Sequence, residues 1–252
     1  MRIAALYDIH GNLPALEAVL AAVEDESVDR IVIGGDVVPG PLPAETIERL
    51  RGLGDTVVFV GGNGDRWVVE AFDALGSAEV DAPRRPWAAW TAEMIDRRDR
   101  DLLASFSAAA TVDVEELGPV LFCHASPRDD EEMLTSLAPD RRWRSALEGV
   151  DESVIVCGHT HTQFERRVGP WRVLNAGSVG CLTRAALVPT GCSSARASSF
   201  GAPTTTSRLR SRRCAPVAIR AQMSSSATRW SLPSIHARWP SSSSGRPAFA
   251  ER

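Results

Sequence analysis

The chain has 252 residues and a formal net charge of −4, a size that suits one globular domain. No apolar run approaches the ~18 residues of a membrane span, and Asp8 and His10 interrupt the only stretch that could form a signal-peptide core. Five cysteines without a CxxC pair support neither a disulfide framework nor a cysteine-rich zinc site, so we expect a cytoplasmic protein with no membrane partner.

The charge changes abruptly after Cys181. Residues 1–181 carry a formal charge of −14, whereas residues 182–252 carry +10 and contain 15 serines and 11 arginines. The acidic first part argues against general nucleic-acid binding. We therefore divide the chain into a domain over 1–181 and a Ser/Arg/Pro-rich tail over 182–252.

The first third of the chain alternates β-branched runs with amphipathic stretches. Strands are predicted at 3–7, 30–33 and 56–60, with helices at 13–23 and 44–51 between them. This order predicts parallel pairing in an α/β fold.

A helical segment follows over 65–106, and its Trp67, Trp87 and Trp90 pack a helical layer or line a substrate cleft. Further strands are predicted at 110–114, 120–123 and 153–157. A hairpin over 163–174 turns at Gly169-Pro170. Because long helices do not separate these later strands, we expect a second sheet packed on the first.

Polar side chains collect at the ends of the predicted strands. They comprise four histidines, two aspartates and one asparagine: His10, His124, His159, His161, Asp8, Asp36 and Asn63. Ligand-binding residues belong at the carboxyl edge of such sheets, where loops converge. Carboxylate, amide and imidazole donors without thiolates suit Mn²⁺, Fe, Zn²⁺ or Ni²⁺. Seven ligands fit two ions that share one carboxylate, which is a recurrent apparatus for phosphate ester hydrolysis.

The motifs that carry these residues resemble, in order, those of the calcineurin-like metallophosphoesterases. They are Asp8-Ile9-His10, Gly35-Asp36, Gly62-Asn63, Cys123-His124 and Gly158-His159-Thr160-His161. The segments 8–13 and 174–180 are most similar to the small bacterial phosphodiesterase branch. The resemblance covers residues 1–180.

The resemblance implies a four-layer α/β/β/α sandwich of two mixed sheets flanked by helices, with the second sheet incomplete. It also implies one ion held by Asp8, His10 and His161, and a second held by Asn63, His124 and His159, with Asp36 bridging both. Mn²⁺ is the favoured ion, with Fe, Zn²⁺ and Ni²⁺ as alternatives.

In that family a metal-bridging hydroxide attacks phosphorus. The resemblance to its phosphodiesterase branch implies a phosphodiester or nucleotide-like ester as the substrate. Asn63 and His124 are the implied catalytic residues beside the bound phosphate. Asn175, Gly177 and Ser178 resemble a turn that supports the metals without binding them.

The third motif departs from the family pattern. Many relatives have a histidine where this chain has Gly64, and that histidine is thought to protonate the leaving group. A catalytically silent scaffold is therefore the alternative to an enzyme. We expect Arg66 to be a helix-surface residue, with a substrate contact as the alternative. The acidic run 129–132 is predicted to be a solvated helix start.

The tail lacks the further strands that the family pattern requires to complete the second sheet. Decoding residues 182–206 one base earlier permits two strands and a Gly-Pro-Gly turn, so the hypothesis is a shift of the reading frame near Cys181. As printed, the tail is predicted to be disordered. A genuine basic arm that binds nucleic acid is the alternative. The sequence gives no oligomeric state.

Overall fold

A computed structural model describes residues 2–75, 85–114, 117–181 and 217–219 of the protein. Two β-sheets pack face to face, one of four strands in the order β3-β2-β1-β9 and one of five in the order β4-β5-β6-β8-β7. The predicted α/β architecture of two packed mixed sheets is confirmed. None of the described helices is both long and apolar enough to cross a membrane.

The first sheet comes from the N-terminal third of the chain. Its strands β1 (Ile3–Leu6), β2 (Arg30–Ile33) and β3 (Val57–Phe59) run parallel. Helices α1 (Leu13–Asp25) and α2 (Pro43–Arg51) connect them, as the sequence predicts. Helix α1 has a proline in its first turn, and the side chain of Asn12 caps it by accepting a hydrogen bond from the amide of Ala15.

The second sheet contains the strands β4 (Ala109–Val114), β5 (Gly118–Cys123), β6 (Val154–Cys157), β7 (Phe164–Val168) and β8 (Trp171–Asn175). Strands β5, β6 and β8 are parallel, whereas β4 and β7 run antiparallel to their neighbours. The predicted hairpin corresponds to β7 and β8. Helix α6 (Asp140–Ala146) precedes β6 in the chain.

Three apolar cores define the four layers. Alternate residues of β1 face opposite ways: Ala4 and Leu6 belong to the core with the helices, and Ile3 and Ala5 to the core between the sheets. The third core joins the outer face of the second sheet to α6. The hydroxyl of the buried Tyr7 donates to the carbonyl of Val156 at 3.0 Å and so ties the two sheets together.

The strand β9 (Val217–Ile219) lies in the tail and pairs antiparallel with β1. The family resemblance assigns further strands to the second sheet, whereas β9, the strand described beyond residue 181, belongs to the first sheet. β9 covers the side of β1 that β2 leaves unpaired and so becomes the edge strand of the first sheet. The remainder of the predicted disordered or out-of-frame tail lies outside the described residues.

Three helices, α3 (Asn63–Asp73), α4 (Pro86–Glu93) and α5 (Arg97–Ala104), form the predicted helical segment. The Trp67 ring packs against Trp87, with centroids 5.5 Å apart, and Arg85 lies over its face. Trp87 and Trp90 remain 40% and 45% exposed. Neither is among the residues that line the cleft beside His124.

Candidate metal centre

The loops that follow five parallel strands meet at one point. Asp8 and His10 follow β1, Asp36 follows β2 and His124 follows β5 directly. Asn63 begins helix α3 just after β3, while His159 and His161 follow β6. The structure thus brings all seven predicted ligands together, as expected when parallel strands end at a common edge. Their function as ligands stays a prediction.

One half of the centre contains Asp8, His10 and His161. The Nε2 atoms of the two histidines are 3.0 Å apart, and Nε2 of His161 is 3.2 Å from Oδ1 of Asp8. Nε2 of His10 lies 3.9 Å from both Oδ1 of Asp8 and Oδ2 of Asp36. These atoms are close enough to share one ion.

The other half contains Asn63, His124 and His159, with Asp36 between the halves. Nε2 of His124 is 3.1 Å from Oδ1 of Asn63 and 3.5 Å from Oδ1 of Asp36. One ligand atom each of Asp36, His124 and His159 lies within 4.8 Å of the other two. A carboxylate in contact with both groups of residues has the position that a bridging ligand requires.

Backbone groups orient these side chains. Nδ1 of His124 lies 2.9 Å from the carbonyl oxygen of Gly34, which fits an Nδ1–H donor and leaves Nε2 facing the centre. The amide of Gly64, in the first turn of α3, donates to Oδ1 of Asp36 at 2.6 Å. The amide of His159 donates to Oδ2 of Asp8 at 2.9 Å. Each of these bonds supports a side chain that faces the centre.

Asp8 provides the test of whether a cation fits. Its Oδ1 is buried and has no hydrogen bond of standard geometry, although three imidazole Nε2 atoms lie 3.2–4.0 Å away. Burying such an oxygen without a partner is costly. A cation among these atoms would satisfy the oxygen, and the oxygen and nitrogen donors suit a divalent transition metal. The residues present therefore fit the predicted ions.

The surroundings of the centre shift the pKa values of several of its side chains. Burial, reinforced by the Asp8 carboxylate, raises the pKa of Asp36 to about 8. Burial lowers the pKa of His10 to about 4, so its imidazole is neutral and able to bind a metal. Contact with Asp8 raises the pKa of His161. Because the carboxylates of Asp8 and Asp36 are buried close together, a proton or a bound cation is needed to reduce their repulsion.

The backbone at this centre is strained. Six non-glycine residues among those described have positive φ angles, and five of the six are predicted ligands: Asp8, His10, Asp36, His159 and His161, with φ between 49° and 63°. Left-handed conformations of this kind are uncommon outside glycine and cluster at functional sites. This geometry adds an independent indication of function.

The predicted supporting turn packs beneath these loops. Nδ2 of Asn175 donates to the carbonyl of Gly158 at 2.6 Å, and Oδ1 of Asn175 accepts from the amide of Gly177 at 2.9 Å. Ser178 donates through Oγ to the carbonyl of Asp8 at 2.8 Å. The turn therefore braces the loops that carry Asp8 and His159, and its side chains stay out of the centre.

Sequence reasoning missed two residues near the centre. Asp65 is buried and accepts hydrogen bonds from the amides of Val38 and Gly62, which fixes the start of α3. Its bond to the amide of Gly62 is one half of a capping box, and because Gly62 has no side chain for the other half, the sequence carried no such signature. The other is Cys181, whose sulfur belongs to a candidate ligand group with His10 and His161.

The prediction that residues 129–132 begin a helix is wrong. The run forms an irregular loop, and the next helix is α6, which begins at Asp140. Arg66 on α3 holds the loop through Asp130, with N–O distances of 2.9 and 3.0 Å, and through Glu131 at 2.6 Å. Arg66 is partly exposed, as expected for a helix surface, but it also borders a cleft of about 550 Å³ beside His124.

Comparison with known proteins gives a consistent result. The family model described as a calcineurin-like phosphoesterase superfamily domain matches residues 1–191. An uncharacterized protein, MJ0912, of Methanocaldococcus jannaschii is 30% identical over 171 residues, which cover 64% of this chain. The match spans only 63% of the length of that relative.

Solved structures share the fold. The hypothetical protein PH1004 of Pyrococcus horikoshii OT3 aligns over 71% of this chain and 77% of its own, with 21% identity and a TM-score of 0.61. A metallophosphoesterase from Sphaerobacter thermophilus aligns over the same shares, with 26% identity and a TM-score of 0.52.

Proposed function

Because this chain belongs to the calcineurin-like phosphoesterase superfamily, whose model matches residues 1–191, we propose that it is a two-metal-dependent phosphoric ester hydrolase. The observation that carries the proposal is the buried Oδ1 of Asp8, which lacks a hydrogen bond and faces three imidazole nitrogens. Asp8, His10 and His161 would hold one ion. Asn63, His124 and His159 would hold the other, and Asp36 would contact both.

When bound, such ions lower the pKa of water to generate a nucleophile and neutralise charge on phosphoryl oxygens. The protein's contribution is orientation. Gly34 fixes the ring of His124, and the amide of Gly64 fixes the carboxylate of Asp36. His124 lines the cleft and its Nε2 lies 3.1 Å from Oδ1 of Asn63, so these two side chains would contact the phosphate. No serine or cysteine nucleophile is required.

Gly64 limits the reaction that we propose. It supplies no proton for a leaving group, and a β-carbon there would lie 2.8 Å from Asp36 Oδ1, Pro39 Cδ and the carbonyl oxygen of Val38. The backbone thus has no room for a histidine at this position. We infer that the enzyme depends on good leaving groups or on a proton from water or substrate. Rates should therefore fall steeply as the leaving group becomes more basic.

The substrate class that we propose is a phosphodiester or nucleotide-like ester rather than a phosphoprotein, with Mn²⁺ as the favoured ion and the cytoplasm as the compartment. A panel of monoesters, linear diesters, cyclic nucleotides and dinucleoside polyphosphates addresses the choice of substrate. Preference for monoesters across the panel would contradict the proposed class.

The central test is Asp36→Asn. We expect stoichiometric Mn²⁺ to restore hydrolysis of an activated diester to chelated wild-type protein. The variant should lose this activity, because a neutral amide at the shared position cannot balance two ions. Asp113→Asn, which removes an exposed carboxylate on β4, is the matched control and should retain it. Turnover without metal, or full activity of the Asp36 variant, would refute the proposal.

One observation favours a second function. Gly64 removes the family's proton donor, so a silent phosphoesterase fold that acts as a binding scaffold is the alternative. Metal binding measured by calorimetry, without turnover of any ester in the panel, would select the scaffold. A nucleic-acid-binding arm would require the basic tail to be genuine, and that segment lies outside the described residues apart from β9.

A further inference from the structure

Cys181 adds sulfur to a centre that otherwise offers oxygen and nitrogen. Its Sγ and one ring nitrogen each of His10 and His161 lie within 4.8 Å of one another, and all three residues are half-buried. Strand-end spacing did not indicate this group, because Cys181 follows a turn rather than a strand. The cysteine is therefore one member of a three-residue cluster of candidate ligands.

The backbone holds Cys181 in this position through contacts with the Asp8 loop. The amide of Cys181 donates to Oγ of Ser178 at 2.8 Å, and Ser178 in turn donates to the carbonyl of Asp8 at 2.8 Å. The amide of Gly180 donates to the same carbonyl at 2.9 Å, and its own carbonyl accepts from Nδ2 of Asn12. A side chain at Gly180 would collide with the carbonyl of Ile9, so only glycine permits this approach.

A second observation indicates that a cation would fit at the same place. Oδ1 of Asp8 is fully buried without a hydrogen bond, and it faces Nε2 of His161 at 3.2 Å and Nε2 of His10 at 3.9 Å. These are the two histidines that Cys181 accompanies. The unsatisfied oxygen and the sulfur therefore belong to one half of the centre.

We propose that Cys181 is an additional ligand of the ion held by Asp8, His10 and His161, and that it shifts the preference of this half from Mn²⁺ toward Zn²⁺. The proposal rests on the proposed function, which supplies the ion. One oxygen, two imidazole nitrogens and one sulfur form a donor set that suits Zn²⁺, whereas Mn²⁺ prefers oxygen-rich sites. As the metal–sulfur bond forms, the thiol proton passes to solvent.

Cobalt substitution tests the metal–sulfur bond directly. The full chain, chelated and then titrated with Co²⁺, should show a sulfur-to-cobalt charge-transfer band in the near ultraviolet. Cys181→Ser should lose the band. Cys123→Ala, which removes a buried thiol from β5, should retain it. Absence of the band from the wild-type protein, or its persistence in Cys181→Ser, would overturn the proposal.

Two further measurements cover variants that fold poorly. Cys181→His preserves a ligand without sulfur, so it should bind Co²⁺ and lack the band. In the wild-type protein, Zn²⁺ should slow alkylation of Cys181 by iodoacetamide, read by peptide mass spectrometry. An unchanged rate at saturating Zn²⁺ would count against a metal–sulfur bond.

Metal competition tests the proposed preference. Removing even an outer-shell partner costs about 10–100-fold in metal affinity, so Cys181→Ser should lower the ratio of Zn²⁺ to Mn²⁺ affinity by at least about tenfold. An unchanged ratio would overturn the preference.

Diester hydrolysis in the same wild-type samples separates the two proposals. Hydrolysis without the cobalt band refutes the ligand role alone, and the band without hydrolysis refutes the proposed function alone.

Discussion

At the scale of single residues, Gly64 and Asp36 depend on each other. The amide of Gly64 donates to Oδ1 of Asp36, and this close approach leaves no space for a β-carbon. The residue that removes the family's proton donor is thus also the residue that positions the shared carboxylate. Restoring a histidine at this position would disturb the centre instead of repairing its chemistry.

Gly64→Ala tests this dependence. We expect the variant to lose about 1–3 kcal/mol of folding free energy through overpacking and to bind Mn²⁺ more weakly, as measured by urea unfolding and calorimetry. Gly52→Ala is the matched control. Its β-carbon would lie 3.4 Å from the carbonyl oxygen of Arg49, an ordinary contact, so the change should stay within about 0.5 kcal/mol. Wild-type stability and affinity in Gly64→Ala would contradict this account.

The raised pKa of Asp36 predicts how the chelated protein responds to pH. Between 3.8, the ordinary value, and about 8, the folded state holds a proton on Asp36 that the unfolded state has released. The Asp36 contribution to the free energy of unfolding of the chelated protein should therefore fall as pH rises through this interval. The lowered pKa of His10 opposes it below about 6.5, so we expect the net fall chiefly above that pH.

Metal should reverse that trend, because bound cations stabilise the ionised carboxylate. Urea unfolding of chelated and Mn²⁺-loaded protein at about pH 5 and about pH 8 measures both slopes. Stability that rises with pH in the chelated protein would contradict the assignment of Asp36 as a buried, proton-binding carboxyl group.

At the scale of elements, helix α3 holds the acidic loop 129–132 over the cleft. Arg66 contacts Asp130, Glu131 and Glu70, so one cation faces three carboxylates. Because these ion pairs are exposed to solvent, each contributes only about 0–1 kcal/mol to the free energy of unfolding. Under the proposed function, their larger effect would be on a phosphate anion in the cleft, since Arg66 offsets negative charge beside His124.

Arg66→Ala should therefore raise the KM for a diester by several-fold, with the largest effect at low ionic strength, because uncompensated carboxylates repel the substrate. Steady-state kinetics at two salt concentrations measure the change. Arg97→Ala, which removes the same charge from an exposed pair with Asp101 on α5, is the control. An equal KM for both variants would assign Arg66 to the helix surface alone.

Elements and site were predictable to different extents. The parallel strands and the seven residues at their ends followed from hydrophobic runs that stop at polar residues, a signal within a few positions of each residue. Cys181 did not follow, since its place depends on hydrogen bonds between Ser178 and Asp8, which lie 170 positions apart. The acidic run was mistaken for a helix start, because Arg66, 64 positions before Asp130, holds it by tertiary contacts.

At the scale of the whole molecule, the two parts of the chain differ in what the fold requires of them. All seven predicted ligands and the turn that braces them lie before residue 182, within three continuous cores. From the tail, the described part of the structure includes only β9, which pairs with β1 and forms an edge of the first sheet. The candidate centre is thus built entirely from the acidic domain over residues 1–181.

Resequencing the gene and measuring the intact mass test the frameshift. We expect a shift of frame near Cys181 and a mass that differs from the 27.1 kDa of the printed chain. The in-frame tail should supply alternating strands, because unpaired sheet edges are a liability that natural proteins cover. One uninterrupted frame together with the printed mass would refute the frameshift and leave the basic arm as the explanation.

The left-handed backbone at the centre has a consequence for which mutations it can tolerate. Aspartate, asparagine and histidine accept positive φ more readily than most other residues, and they are also the ligands that such ions prefer. Conformation and coordination therefore restrict Asp8, His10, Asp36, His159 and His161 to the same few residue types. A glutamate could bind an ion but would strain the loop, and a glycine would relax the loop but bind nothing. Evolution of a different metal preference is thus easier at a neighbouring position with ordinary backbone geometry than at these five.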